Sequence, residues 1–198
     1  YYEIAELLEI VEKERPFFEQ SDGGVTISGG EPLLHPEYLL ELLRACGGNS
    51  IHRVVDTSGF CAENTLLEVA KQTELFLYDL KTIDDGLHSR FTGVSNVGIL
   101  KNLQVLASSG AEIAIRIPVI GGVNADPHSA RGLAEFVAGL EGSKRMVHLL
   151  PYHGVAAGKH FKLGAQYDEG LMREPTVAEM EQFRACFSKK GLDVTLGG

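Results

Sequence analysis

Short runs of branched and aromatic residues alternate along this chain with segments of helical period, and no two runs are joined by hairpin turn chemistry. Alternation without hairpins commits the runs to parallel pairing, because a parallel partner is reached only through a crossover, usually a helix. The runs cover residues 25–28, 53–57, 75–80, 112–120 and 146–150, with a candidate sixth at 192–196. Between them lie helical stripes. Ile4, Leu7, Leu8 and Val11 mark one helix over 3–15. Leu39, Leu40 and Leu43 mark a second, opened by Pro36 and closed by Gly47 and Gly48. Asn64 is the expected cap of a helix over 64–70. Ile99, Leu103 and Leu106 define a helix over 96–109, and Leu133, Val137 and Leu140 one over 127–140. Thr176 and Glu179 form a capping box for the last helix, with Val177, Met180, Phe183 and Phe187 as its inner face.

The expected fold class is α/β: a partial (βα)6 TIM-like barrel with parallel strands, built from residues 1–198 as one domain. A closed eight-fold barrel takes roughly 250 residues, and this chain has 198. It also opens on a helical stripe. The first strand is therefore expected to be missing.

Eighteen basic residues stand against 27 acidic ones, a net charge of −9. A phosphate backbone repels such a chain unless one patch is strongly basic, and Lys144-Arg145 and Lys189-Lys190 are short and far apart. Nucleic-acid binding is excluded as the expected role. There is no run long and apolar enough for a membrane helix, and the acidic, amphipathic start is no signal peptide. The three cysteines, Cys46, Cys61 and Cys186, are odd in number and widely spaced, so neither a disulfide framework nor a local metal knuckle is expected. A reducing cytoplasm is the matching compartment. The chain begins at Tyr1, which reads as the start of a fragment.

In parallel α/β folds the chemistry sits at the carboxyl ends of the strands. Here those ends carry Ser28-Gly29-Gly30-Glu31-Pro32, Asp56-Thr57-Ser58-Gly59, Asp79-Leu80-Lys81, Arg116 and Pro151-Tyr152-His153. Each has a structural alternative. Gly29-Gly30 serves equally as a tight turn or as backbone exposed to a ligand. Pro32 holds Glu31 extended, which aims its carboxylate toward a ligand amine. Asp56 alone suits a turn cap. Asp79 and Lys81 are two apart on one strand and share a face; their alternative is a strand-end salt bridge. Arg116 has Ile115 and Ile117 facing the other way, and its alternative is an inward ion pair with Asp79. His153 would be structural were it not at a strand end. The convergence of all of these on one rim favours a ligand site.

At these residues a resemblance emerges. The run from Val25 to Pro32, Val-Thr-Ile-Ser-Gly-Gly-Glu-Pro, resembles the glycine-glycine-glutamate motif of radical S-adenosylmethionine enzymes. The segments Asp56-Thr57-Ser58-Gly59-Phe60, Tyr78-Asp79-Leu80-Lys81, His88-x-x-Phe91-Thr92-Gly93, Arg116-Ile117-Pro118-Val119-Ile120 and Leu150-Pro151-Tyr152-His153, with Gly158-Lys159 and Leu163-Gly164, look like those of glycyl-radical enzyme activases, the pyruvate formate-lyase activating enzyme family. The resemblance runs from about Ser21 to Gly198.

The resemblance implies S-adenosylmethionine and a 4Fe–4S cluster as cofactors. A reduced cluster would generate a 5′-deoxyadenosyl radical that takes hydrogen from a glycine of a partner glycyl-radical enzyme, such as pyruvate formate-lyase. Flavodoxin or ferredoxin would supply the electron. Gly29, Gly30 and Glu31 would hold the methionine ammonium, and Lys81 and Arg116 its carboxylate. Asp56 would lie near the ribose or, with Thr57 and Asp79, around a monovalent cation. His153 would border the adenosine. The family's C-x-x-x-C-x-x-C cluster motif is absent from this chain. It is expected upstream of residue 1, together with the missing strand, and the chain alone is expected to be inactive. Another radical enzyme on the same scaffold, or a binding remnant without a cluster, are the other readings.

Overall fold

The computed structural model describes residues 2–142, 146–153 and 171–197. Lys144 and Arg145, and the motif segments Gly158-Lys159 and Leu163-Gly164, lie outside the described residues. In chain order the elements are α1 (Ile4–Glu12), α2 (Arg15–Ser21), β1 (Gly24–Ile27), a 3-10 turn (Pro32–Leu34), α3 (Pro36–Gly48), β2 (His52–Thr57), α4 (Glu63–Ala70) and β3 (Leu75–Asp79). They continue with α5 (Asp85–Thr92), α6 (Val97–Ser108), β4 (Ile113–Val119), α7 (Pro127–Ala138), β5 (Met146–Pro151), α8 (Val177–Lys189) and β6 (Asp193–Leu196).

All six strands are parallel and lie in sequence order, so β1 and β6 form the two edges of the sheet. This is the expected partial-barrel arrangement, in which every connection is a crossover. On the helix-facing side, Val55, Phe76, Tyr78, Ile115, Ile117, Val147 and Leu149 are fully buried. Leu43, Leu66, Leu103, Leu133, Phe183 and Phe187 of the covering helices meet them. Each such side chain contributes about 1.5–3 kcal/mol by leaving water. The other face of the same strands carries the polar residues. The register opposes Asp79 to Arg116, and Arg116 to His148.

Several elements differ from the pattern-based expectation. The helix over 3–15 ends at Glu12, and a separate helix starts at Arg15 with Pro16 in its first turn. Proline fits there but would clash with the preceding turn of a continuing helix. The α1 stripe packs outside the main core, in a small second cluster with Leu42, Cys46 and Ile51 that Val25 and Ile27 of β1 also join. Asn64 is not a cap: α4 begins one residue earlier, with extended Ala62 at the N-cap and no side-chain cap bond. Val177 is the first residue of α8 and is 81% exposed, so the inner face starts at Met180. Helix α5 was not expected, although Asp84 caps it by accepting from the Leu87 N–H at 2.7 Å. Among the described residues no helix is long and apolar enough to cross a membrane.

Candidate active site

The carboxyl ends of β1 to β4 enclose a cleft of about 380 Å³, lined by Ser28 to Glu31, by Asp56 to Ser58, and by Asp79, Lys81 and Arg116. A larger open depression of about 830 Å³ lies at the amino ends of β3 and β4, near Lys71, Glu74 and Glu112. It has no comparable convergence of charge from several strands.

The first wall of the cleft is a turn that only glycine adopts without strain. Gly29 and Gly30 have φ of 93° and 54°, the left-handed region that side chains avoid. A Cβ at either would meet nothing within 4 Å. The backbone of this turn therefore borders open space.

Glu31 follows, held extended at φ −114° and ψ 109°. Its carboxylate is taken up by the protein. It accepts from Thr57 Oγ1 at 2.5 Å, Ser58 N at 2.8 Å, Ser58 Oγ at 2.6 Å and Leu33 N at 3.2 Å. The expectation that Glu31 aims at a ligand amine gives way to a different geometry: Glu31 ties the β1 turn to the β2 turn. Thr57 itself is 3% exposed, and its Oγ1 also accepts from Gly59 N at 2.8 Å.

Arg116 crosses the inner face to two carboxylates. Its Nε and Nη2 donate to Asp79 Oδ1 at 2.9 and 2.7 Å, and Nη2 also donates to Asp56 Oδ1. Burial opposes the charge on this guanidinium, but Asp79 and Asp56 outweigh it and hold its pKa above the usual value. Ser28 Oγ donates to the other Asp56 oxygen at 3.0 Å. Lys81 Nζ stands 3.5 Å from Asp79 Oδ2. The ion pair between Arg116 and Asp79, set out above as the structural alternative, is thus present and forms part of the cleft wall. Glu31, Asp56 and Asp79 against Lys81 and Arg116 leave one excess negative charge, which suits a ligand of net positive charge.

His153 does not join this group. Its side chain is exposed at the end of β5, with Nδ1 3.4 Å from Glu174 Oε1, and it does not line the cleft. Two supporting roles escaped the sequence reading, which named Tyr78 only within a motif. Asn102 of α6, buried beside Leu103, donates to the carbonyls of Gly59 and Cys61 at 2.8 and 2.9 Å and anchors the β2 turn. Tyr78 lies under Gly59 and donates to the Ile99 carbonyl at 2.7 Å. A polar residue within a helical stripe was the available signal for Asn102.

Residues 1–131 match the model of the radical SAM superfamily. Over 190 residues the chain is 33% identical to the pyruvate formate-lyase 1-activating enzyme of Escherichia coli K12, covering 95% of this chain and 77% of that one. The chain belongs to the radical SAM superfamily, in the family of glycyl-radical enzyme activating enzymes.

Other members of this family are also similar. The choline trimethylamine-lyase activating enzyme of Oleidesulfovibrio alaskensis is 38% identical over 195 residues, 98% of this chain and 63% of that protein. The trans-4-hydroxy-L-proline dehydratase activating enzyme of Clostridioides difficile is 36% identical, and the chain covers 66% of it. The chain thus spans just under two-thirds of these two relatives. Among solved structures, a domain of a pyruvate-formate lyase-activating enzyme from Bacteroides vulgatus superposes with a TM-score of 0.76 at 40% identity, covering 89% of this chain and 99% of that one. A radical SAM methyltransferase from Sphaerobacter thermophilus, 18% identical, shares the fold, with a TM-score of 0.67.

In a radical SAM protein the cleft has two cofactors to answer for. S-adenosylmethionine fits: its sulfonium and ammonium match the excess negative charge, and the open Gly29-Gly30 backbone offers carbonyl acceptors. A 4Fe–4S cluster does not fit the cysteines of this chain. Cluster iron is held by several converging thiolates, whereas Cys46 is buried against α1 and Cys186 sits on α8. Burial, reinforced by Glu31, pushes the Cys61 thiol up to about 11. Among the described residues no group of three or more histidine, cysteine or acidic side chains is placed to hold a metal ion.

Proposed function

We propose that this chain is the S-adenosylmethionine-binding part of an activating enzyme that installs a glycyl radical on a partner enzyme of the pyruvate formate-lyase type. The observation that carries the reading is the placement of Gly29, Gly30, Asp56, Asp79, Lys81 and Arg116 around one cleft at the strand ends. S-adenosylmethionine, together with a reduced 4Fe–4S cluster ligated from outside these residues, supplies the radical chemistry when bound.

The residues of this chain hold and orient. The carbonyls of the Gly29-Gly30 turn accept the ammonium, and Glu31 fixes that turn by bridging it to Thr57 and Ser58. Lys81 and Arg116 face the ligand carboxylate, with Asp79 holding both cations in place. Asp56 borders the ribose. Asp56, Asp79 and Thr57 are the candidate ligands of a monovalent cation, at a position where the Arg116 guanidinium now links the two aspartates. His153 stands after the next strand, β5, and is the candidate to border the adenosine. Among the described residues the sheet ends at β1 and β6 without closing, which suits the side entry of a polypeptide loop that a glycine-bearing partner requires. An electron donor such as flavodoxin or ferredoxin and a cytoplasmic setting complete the reading, and the cysteines, all free, accord with a reducing compartment.

The test uses the natural polypeptide that contains this chain, reduced under anaerobic conditions with S-adenosylmethionine and a glycyl-radical enzyme from the same genome. The expected result is formation of 5′-deoxyadenosine together with a glycyl-radical electron paramagnetic resonance signal on the partner. Formation of 5′-deoxyadenosine with no radical on any such partner would instead indicate a different radical SAM reaction.

A further inference from the structure

Asn124 lies behind the cleft, in the turn after β4, and is 2% exposed. Its side-chain amide donates to the Lys81 carbonyl at 2.9 Å and to the Pro118 carbonyl at 2.8 Å, while its Oδ1 accepts from Ile120 N at 2.7 Å. A buried amide with both donors and its acceptor engaged has one orientation only.

The position of these bonds is informative. The ladder between β3 and β4 ends with the pair Asp79–Arg116 and the bond from Leu80 N to the Arg116 carbonyl at 2.9 Å. Past that point the Asn124 side chain spans the two chains, reaching Lys81 on one and Pro118 on the other. It acts as one more rung, at the level where Lys81 leaves β3. The turn that carries Asn124 is also closed by its own backbone. The amides of Val123, Asn124 and Ala125 all converge on the Ile120 carbonyl at 3.1–3.2 Å. Removing the amide therefore releases the Lys81 carbonyl from β4 and strips the Ile120 N–H of its acceptor, while the backbone bonds keep the turn closed.

We propose that Asn124 is a positioning residue for the cleft, fixing the Lys81 backbone against β4 so that Lys81 and Arg116 present a fixed pair of cations to a ligand carboxylate. This rests on the reading of the cleft given under Proposed function. Nothing in the family match assigns Asn124 a part.

The experiment measures S-adenosylmethionine binding to the natural polypeptide that contains this chain, by anaerobic calorimetry, for the parent, Asn124→Ala, Lys81→Met and Leu133→Val, the last as a core variant remote from the cleft. Amide hydrogen exchange is followed in parallel. Asn124→Ala is expected to raise Kd about tenfold and to speed exchange at Ile120, whereas Leu133→Val lowers the melting temperature without changing Kd. Asn124→Ser, which keeps one donor in the turn, repeats the comparison if the alanine variant does not fold. If Lys81→Met weakens binding but the Asn124 variants bind as the parent does, the positioning role is wrong while the cleft reading stands. If Lys81→Met itself binds as the parent does, the cleft reading falls and the positioning role falls with it.

Discussion

Thr57 Oγ1 donates to Glu31 Oε1 at 2.5 Å, joining the turn after β1 to the turn after β2. Two further bonds from Ser58 reach the other Glu31 oxygen. The glutamate that follows the two glycines is thus a brace between strand ends, and the glycine turn borders open space.

Truncating that brace strands its donors. Glu31→Ala leaves Thr57 Oγ1 and Ser58 N without their acceptor, and Thr57 is buried. The expected loss is about 1–3 kcal/mol of folding stability, read from the midpoint of urea unfolding. Glu31→Gln, which keeps one acceptor oxygen, should lose less. Equal stability of parent and Glu31→Ala would contradict the bracing role.

Asp79 is the shared partner of Lys81 and Arg116. Asp79→Ala frees Lys81 to move, leaves Arg116 held by Asp56 alone and removes one negative charge from the cleft. Weaker binding of S-adenosylmethionine is expected by calorimetry, with Arg116 remaining on Asp56. Unchanged affinity would remove Asp79 from the binding site.

Gly59 tolerates no side chain. Its φ is 75°, and a Cβ there would fall 1.7 Å from the Tyr78 hydroxyl oxygen. Tyr78 cannot retreat, because it is fully buried and bonded to the Ile99 carbonyl. Gly59→Ala should cost about 2–4 kcal/mol through backbone strain and overpacking together, seen as a lowered thermal midpoint. Gly29→Ala faces open space and only the φ penalty, so it should cost less.

Acid sensitivity should have an identifiable contributor at the amino end of α8. Glu179 is bonded to Arg173, and to the backbone and hydroxyl of Thr176, and these bonds hold its pKa down to about 2 from an ordinary 4.5. A carboxylate depressed on folding stabilises fully above its unfolded pKa and loses that contribution as pH falls through its folded value. The loss therefore falls between about pH 4.5 and 2. Glu179→Gln should be less stable than the parent at pH 7, with the gap closing across that window in pH-dependent thermal melts. A gap that does not change with pH would rule the ionised cap out.

The architecture was legible because apolar runs separated by helical stripes admit few arrangements, and the strand ends followed from the runs. Five of the expected cleft residues from four strands, Glu31, Asp56, Asp79, Lys81 and Arg116, do line one cleft. What escaped depends on partners distant in the chain. Glu31 turns inward because Thr57 and Ser58 await it 26 and 27 residues later. Helix α5 has little apolar stripe and is marked mainly by its Asp84 cap. His153 sits two residues beyond the end of β5, where a pattern that locates strands says little about side-chain direction.

The cleft at the ends of β1 to β4 is the proposed site of a sulfonium nucleotide. Titrating S-adenosylmethionine into the isotope-labelled chain and following backbone amide shifts tests this directly. Shifts should concentrate at Gly29, Gly30, Thr57 and Lys81, and the Nε signal of Arg116 should move with them. An absence of shifts at these positions at saturating ligand, or shifts confined to the depression at the amino ends of β3 and β4, would contradict the account.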